Sequence, residues 1–319
     1  MVNAMTQIGL MVEGQDGLTW DRWKRLLKAA EDFGYQCLFR SDHFTNAGPP
    51  DKDSLEAWIS LTYAASHTQR VEFGPLVSPV TFRTPAMKAR MATQIDDLSG
   101  GRFVYGMGVG WQEREHRKFG IPFHDYPTRY DMLEEALEIT TRLFNDDEPV
   151  IYNGEYFNLD EATLLPRPQR KGGPPILIGG IGPKRTLPLT AKYADEWNAV
   201  FASAELFRER NALLDELLAE QGRETSDVKR SVMIGVHYAR DDADVQRILG
   251  EFRQRSNRQI TLDELAEHGR YIGTGAMLID RISPYVEFGA ERFMLQWLAL
   301  DDIEGIELMA RDLLPHFQN

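Results

Sequence analysis

Short apolar runs alternate with segments whose apolar positions recur every three or four residues, and the alternation extends along most of the chain. The runs Gln7–Val12, Tyr35–Ser41, Val71–Val77, Phe103–Met107, Ile176–Ile178, Glu196–Val200, Val232–Tyr238 and Arg292–Gln296 have strand length and strand composition. Between them the spacing predicts helices. The first runs from Trp20 to about Phe33, with Thr19 as N-cap and Gly34 as its stop. The second covers Leu55–Thr68. The third opens at Thr84-Pro85, with proline at its first position and Met87, Met91, Ile95 and Leu98 on its buried face. Further helices are predicted over Thr128–Phe144, Lys184–Tyr193, Ala204–Gln221, Asp241–Phe252, Ala276–Phe288 and Ile303–Leu314.

Three stretches interrupt the rhythm. Pro75 lies inside the third strand and cannot donate to a ladder, so a bulge, bend or strand end is expected there. Asn153-Gly154 predicts a hairpin over 150–157. Residues 253–274 are polar and irregular and read as an excursion. Eight strand–helix units imply parallel strands and a (β/α)8 TIM barrel, one domain over 1–319. A doubly wound open sheet is the alternative. No Gly-x-Gly-x-x-Gly follows the first strand and no linker divides the chain, so the barrel is preferred.

Charge and composition narrow the partners. The formal net charge of −13 disfavours nucleic acid and anionic membranes. No apolar run approaches the roughly 20 residues that span a bilayer. Cys37 is the only cysteine, which rules out an internal disulfide and a cysteine zinc cluster. Met1 to Met5 carries no secretory pattern, and the cytoplasm is the expected location. His116 and His124 lack a third ligand at metal spacing, so no metal is expected.

In a barrel the chemistry sits where strands end at their C-terminal side. The second strand ends in Ser41-Asp42-His43, an abrupt polar switch after an apolar run. A carboxylate beside an imidazole can orient it and tune its pKa, so Asp42 and His43 are the candidate proton-transfer pair. Glu113, Glu115 and His116 read as a solvated helix face, although His116 has a place near the rim. Gly106, Gly108 and Gly110 alternate at strand period. Either a flat ligand approaches the backbone there or the barrel packs tightly. Gly179-Gly180-Ile181-Gly182 enters a helix, and free N–H groups with Arg185 would suit a phosphate.

These motifs together resemble the bacterial luciferase-like flavin and deazaflavin oxidoreductases. The resemblance rests on Ser41-Asp42-His43, Gly74-Pro75-Leu76-Val77-Ser78-Pro79 with Arg83-Thr84-Pro85, and Asp96-Asp97-Leu98-Ser99-Gly100-Gly101-Arg102. It extends through Gly106-Met107-Gly108-Val109-Gly110-Trp111, Phe119-Gly120-Ile121-Pro122-Phe123, Tyr152-Asn153-Gly154-Glu155-Tyr156-Phe157 and Pro174 to Gly180, as far as Ala191 to Asn198. Gly110-Trp111 and the Glu-His that follows look most like the branch that uses coenzyme F420.

The resemblance implies a homodimeric enzyme that moves a hydride between coenzyme F420 and a small organic substrate. An FMN-dependent two-component monooxygenase, or a flavin-binding protein without turnover, is the alternative. It further implies that Asp42 meets the edge of the ring and His43 shuttles the proton. Pro75 and Leu76 would back the ring across a bulge or a cis bond, with Gly108, Val109 and Gly110 beside them. Gly179, Gly180, Ile181, Gly182 and Arg185 would hold the phosphate. Trp111, Trp197 and Trp297 would face the substrate. A carboxylate proton donor of some relatives corresponds in position to Trp111, which speaks against a sugar-phosphate dehydrogenase.

Overall fold

The computed structural model describes residues 6–317, so the Met1–Met5 stretch lies outside the described residues. The chain forms β1 (Gln7–Val12), α1 (Trp20–Asp32), β2 (Cys37–Arg40), α2 (Ala57–His67), β3 (Glu72–Pro75), β4 (Ser78–Pro79), α3 (Pro85–Ser99) and β5 (Tyr105–Gly108). Then follow α4 (Glu113–Lys118), α5 (Tyr126–Asn145), β6 (Val150–Asn153), β7 (Asn158–Ala162), β8 (Ile176–Gly179), α6 (Thr186–Tyr193), β9 (Glu196–Val200) and α7 (Ala204–Glu220). The last part holds β10 (Lys229–Tyr238), α8 (Asp242–Ser256), α9 (Leu262–Ala266), β11 (Arg270–Gly273), α10 (Gly275–Glu287), β12 (Arg292–Trp297) and α11 (Ile303–Phe317).

The strands run parallel in the order β3-β2-β1-β12-β10-β9-β8-β5-β4. β3 and β4 are two pieces of one stave, broken after Pro75 as the proline leads one to expect. The ring closes where this stave meets β5: Val104 donates to the Phe73 carbonyl, and Val80 to that of Gly108. This is the expected TIM barrel.

The end of the barrel at the strand N-termini is plugged by charge. Arg292, 1% exposed, donates to Glu196 at 2.8 Å and Gln7 at 2.7 Å, and pairs with Glu72. A buried cation with its partners this close contributes a rigid floor; removing one partner would cost several kcal/mol, roughly 3–5 by analogy with buried pairs. Above it Met11, Cys37, Phe39, Val104, Leu177, Met233 and Met294 fill the interior.

Three details depart from expectation. Residues 253–274 are not irregular. They continue α8, add α9 and supply β11, which pairs in parallel with the outer half of β10. With α10 they enclose a small core of their own around Ile248, Leu249, Leu265 and Ile272. The hairpin has a longer turn than Asn153-Gly154 alone would make, because Asn153 pairs with Asn158. In α3 the predicted buried face is rotated. Met87 and Leu98 are more than half exposed, and Lys88, Ala89, Ala92 and Ile95 point inward.

Candidate active site

β2 delivers the polar switch to the barrel mouth. Arg40 turns outward beneath α2, fully buried, and donates to Ser60 Oγ at 2.6 Å and the Leu55 carbonyl at 2.8 Å. Burial pushes its pKa down to about 10, against the pull of Asp42, Glu56 and Glu13. These bonds pin the start of the loop that carries Ser41, Asp42 and His43.

Asp42 is 1% exposed, and one of its oxygens does all the binding. Oδ2 accepts from Arg83 at 2.7 Å, Ser78 Oγ at 2.8 Å and Trp58 Nε1 at 3.2 Å. Arg83 also pairs with Glu56. Oδ1 is buried and has no partner among the described residues. Buried acceptors are seldom left so, because the lost hydration is not replaced.

His43 does not take Asp42 as its carboxylate. Its Nδ1 stands 2.7 Å from Glu115 Oε1, and Glu115 Oε2 accepts from the Phe44 backbone N–H at 2.9 Å. Glu115 is therefore no part of a solvated face: it is fully buried, on the six-residue helix α4. Burial pushes the imidazole's pKa down, but the hydrogen bond and charge of Glu115 outweigh it and hold the pKa above its ordinary value. The ring keeps a small solvent window, with Trp111 edge-on at 5.5 Å. Trp111 is 63% exposed. His116 is fully buried, between Thr81 Oγ1 at 2.7 Å and the Gln112 carbonyl at 2.8 Å, and burial lowers its pKa. It braces the loop and does not line the mouth.

The Leu76–Val77 bond is cis, one bond beyond the Pro75–Leu76 bond anticipated. Val77 is the residue that covers the glycine floor. A Cβ at Gly108 would lie 2.5 Å from Val77 Cγ2, and those at Gly106 and Gly179 would lie 3.2 and 3.1 Å from Val77 Cγ1. Gly108 and Gly179 thus make room for Val77, whereas at Gly106 the Pro75 carbonyl already fills the space a side chain would need. Val109 and Gly110 follow at the rim, half-buried.

Gly179, Gly180, Ile181 and Gly182 form a half-buried turn into α6 on the same rim. Thr186 sits under it and bonds Tyr130 at 2.7 Å. Arg185 is occupied: it pairs with Asp131 and lies over the Tyr130 ring at 5.3 Å.

Trp197 and Trp297 are not in the mouth. Strand alternation turns Asn198 and Gln296 inward, so their neighbours face the helices. Trp197 stacks on Phe207 at 5.5 Å and donates to the Gly180 carbonyl at 2.7 Å, which makes it a support of the glycine turn. Trp297 is 3% exposed in the outer core. Glu115, Arg83, Ser78, Trp58 and Val77 were not singled out from sequence for the roles they hold. Arg83, Ser78 and Val77 stood within recognisable motifs, but nothing local marked their partners.

Comparison with known proteins gives a consistent result. The family profile described as luciferase-like monooxygenase matches residues 1–292. A 4-hydroxyprotoasukamycin monooxygenase from Streptomyces nodosus subsp. asukaensis is 30% identical over 86% of this chain and 75% of its own length. An F420-dependent glucose-6-phosphate dehydrogenase from Microbacterium testaceum is 25% identical over 91% of both chains. An F420-dependent secondary alcohol dehydrogenase, solved with an F420–acetone adduct, superposes with a TM-score of 0.86 over 99% of this chain and 100% of its own, at 23% identity.

Proposed function

The chain belongs to the luciferase-like monooxygenase family and is an oxidoreductase, and we propose that it moves a hydride between coenzyme F420 and a small organic substrate. The observation that carries this is the buried His43–Glu115 pair beside the unpartnered oxygen of Asp42. Bound at the barrel mouth, the deazaflavin supplies the hydride chemistry. Asp42 Oδ1 is an acceptor awaiting a donor, which fits a ring edge that carries one. Gly180 N–H already donates to the Asn198 carbonyl at 2.9 Å, so the glycine turn would offer the phosphate the N–H groups of Ile181 and Gly182, whereas Arg185 would have to leave Asp131 to take part.

The protein's own part is the proton. As a carbonyl becomes an alcohol its oxygen must gain one, and in reverse the hydroxyl must lose it. His43 Nε2 is the atom proposed to hold that proton, because Nδ1 is taken by Glu115. Glu115 keeps the ring oriented and favours the charged form. Trp111 walls the substrate side of His43.

An FMN-dependent monooxygenase is the second reading, supported by the 30% identity to 4-hydroxyprotoasukamycin monooxygenase. Titration of the purified protein with F420 and with FMN, followed by absorbance, separates the two. Tight F420 binding with weak FMN binding is expected. Preferential FMN binding, with oxygen uptake by its reduced form, would favour the second. A homodimer belongs to the same reading, supported by the exposed apolar strip of Ile59, Met87 and Leu98 on α2 and α3. A cytoplasmic location is supported by the single buried Cys37. Among the described residues no helix is long and apolar enough to cross a membrane.

A further inference from the structure

Across the mouth from His43 stands a cation that the mechanism above does not use. Arg270 opens β11, on the lobe that grows from β10. Its guanidinium lies 4.9 Å from the centre of the Phe201 ring. In a chain with 49 acidic residues against 36 basic ones, it has no carboxylate partner among the described residues. Arg270 is exposed, and the aromatic face beneath its guanidinium leaves the hydrogen-bonding edge open to the mouth.

The setting is built rather than incidental. Phe201 follows β9 with φ +50, a left-handed backbone rare for a residue with a bulky side chain. It packs against the barrel-interior cluster together with Val77 and Val200. Gly269 presses on the same backbone: a Cβ there would lie 2.9 Å from Phe201 Cα. Gly235 pairs in register with Arg270, and its bare Cα lets the arginine stem pass. A Cβ at 235 would stand 3.3 Å from Arg270 Cγ and 3.5 Å from both Phe201 Cε1 and Gln296 Oε1. Gln296 in turn donates to Glu13 at 2.6 Å, at the end of β1. Phe201, Gly235, Arg270 and Gln296 thus form one wall of the mouth.

We infer that Arg270 anchors the substrate by an oxyanionic group, a carboxylate or phosphoryl, and so selects anionic substrates. This rests on the proposed oxidoreductase site at the same mouth. A guanidinium fork matches a two-oxygen anion, and the ring beneath it reduces the freedom lost on binding. His237, two residues beyond Gly235, reports the local field. Burial, then Arg255 and Arg270, push its pKa down to about 4, with Glu251 opposing. Phe252 meets it edge-on at 4.8 Å. An anion seated on Arg270 would offset part of that positive field.

The test uses the full chain with acetate and inorganic phosphate as probes and acetamide as the neutral control. The readouts are the NMR signal of the Arg270 side-chain N–H and the titration of His237. In the unmodified protein, at least one anion should shift the Arg270 signal saturably and raise the His237 pKa, and acetamide should do neither. Arg270→Met should abolish the His237 response, and Arg270→Lys should weaken anion binding about tenfold. No saturable shift with either anion, or the same His237 response in Arg270→Met, overturns the inference. F420 affinity is measured on the same variants. A loss for F420 in Arg270→Met matching the loss for the anions would assign the residue to the cofactor and overturn it too. Saturable anion binding in a protein that binds neither F420 nor FMN would uphold Arg270 as an anion site and sink the proposed function instead.

Discussion

His43 Nδ1 and Glu115 Oε1 lie 2.7 Å apart, joined across 72 residues of chain, and neither is open to solvent by more than a small window. The carboxylate fixes which ring nitrogen faces the mouth and holds the imidazole's pKa above its ordinary 6.5. Glu115→Gln should therefore lower the His43 pKa, since burial is then opposed only by the charges of Glu13 and Asp42. For a step needing neutral His43, the acidic limb of the pH–rate profile should move to lower pH. The stability sign follows from linkage. The folded pKa is raised, so the stabilisation from this pair is full below about pH 6.5 and is lost as pH rises through the folded value. The unfolding free energy of Glu115→Gln should fall furthest below the unmodified protein in acid and approach it in alkali. A pH-independent difference, with an unmoved rate profile, would remove Glu115 from the proton-holding role.

Val77 and Gly108 make a second testable pair. Gly108→Ala places a methyl 2.5 Å from Val77 Cγ2 and should destabilise the protein by about 1–3 kcal/mol, the usual cost of overpacking. It should also displace Val77 and weaken cofactor binding. Val77→Ala removes the colliding methyl, so the double variant should recover much of both losses. A cycle measured by urea unfolding and by F420 titration reads the coupling. If stability recovers and affinity does not, Gly108 itself faces the cofactor. Additive losses would show that the two residues do not compete for the same space.

The barrel was legible because each buried strand and each amphipathic helix carries its own local period, and their alternation leaves few topologies. His43 was legible for the same reason: a polar switch at a strand end falls at the barrel mouth whatever the remaining detail. Its partner was not, because Glu115 looks like any acid on a short charged helix, and its burial depends on how α4 folds back over β2. Trp197 and Trp297 sit near strand ends where aromatic residues suggest a binding wall, but strand alternation from the inward Asn198 and Gln296 turns them out. In α3 apolar spacing marked Ile95, which is buried, together with Met87 and Leu98, which packing leaves exposed.

That exposure predicts an interface. Ile59 on α2 and Met87 and Leu98 on α3 are each more than half exposed. The unmodified protein should run as a dimer by light scattering on a sizing column. Ile59→Lys with Leu98→Lys should shift it toward monomer while far-ultraviolet circular dichroism stays unchanged, because neither side chain belongs to the barrel core. A monomer in the unmodified protein, or a dimer untouched by both charges, would place the interface elsewhere or remove it.

Lys88 takes the inward position that α3 denies to Met87. It is fully buried, its ammonium donates to the Pro79 carbonyl at 3.1 Å, and it has no ion-pair partner in contact among the described residues. Burial pushes its pKa down to about 7, and Arg83 opposes the pull of Asp42. Between about pH 7 and its ordinary 10.5 the unfolded chain binds a proton that the folded chain does not, so stability should rise with pH across that window. Lys88→Met removes this dependence. It also removes one of the two donors to the Pro79 carbonyl, the Phe82 N–H remaining at 3.2 Å, a cost that does not vary with pH. The stability of the methionine variant relative to the unmodified protein should therefore be most favourable at pH 7 and below. It should decline by up to about 1.4 kcal/mol per pH unit above that, the full slope for one proton. Urea unfolding of both proteins at several pH values from 6 to 10 measures it. A constant difference over that range would mean that Lys88 stays charged in the fold, held by contacts stronger than its burial.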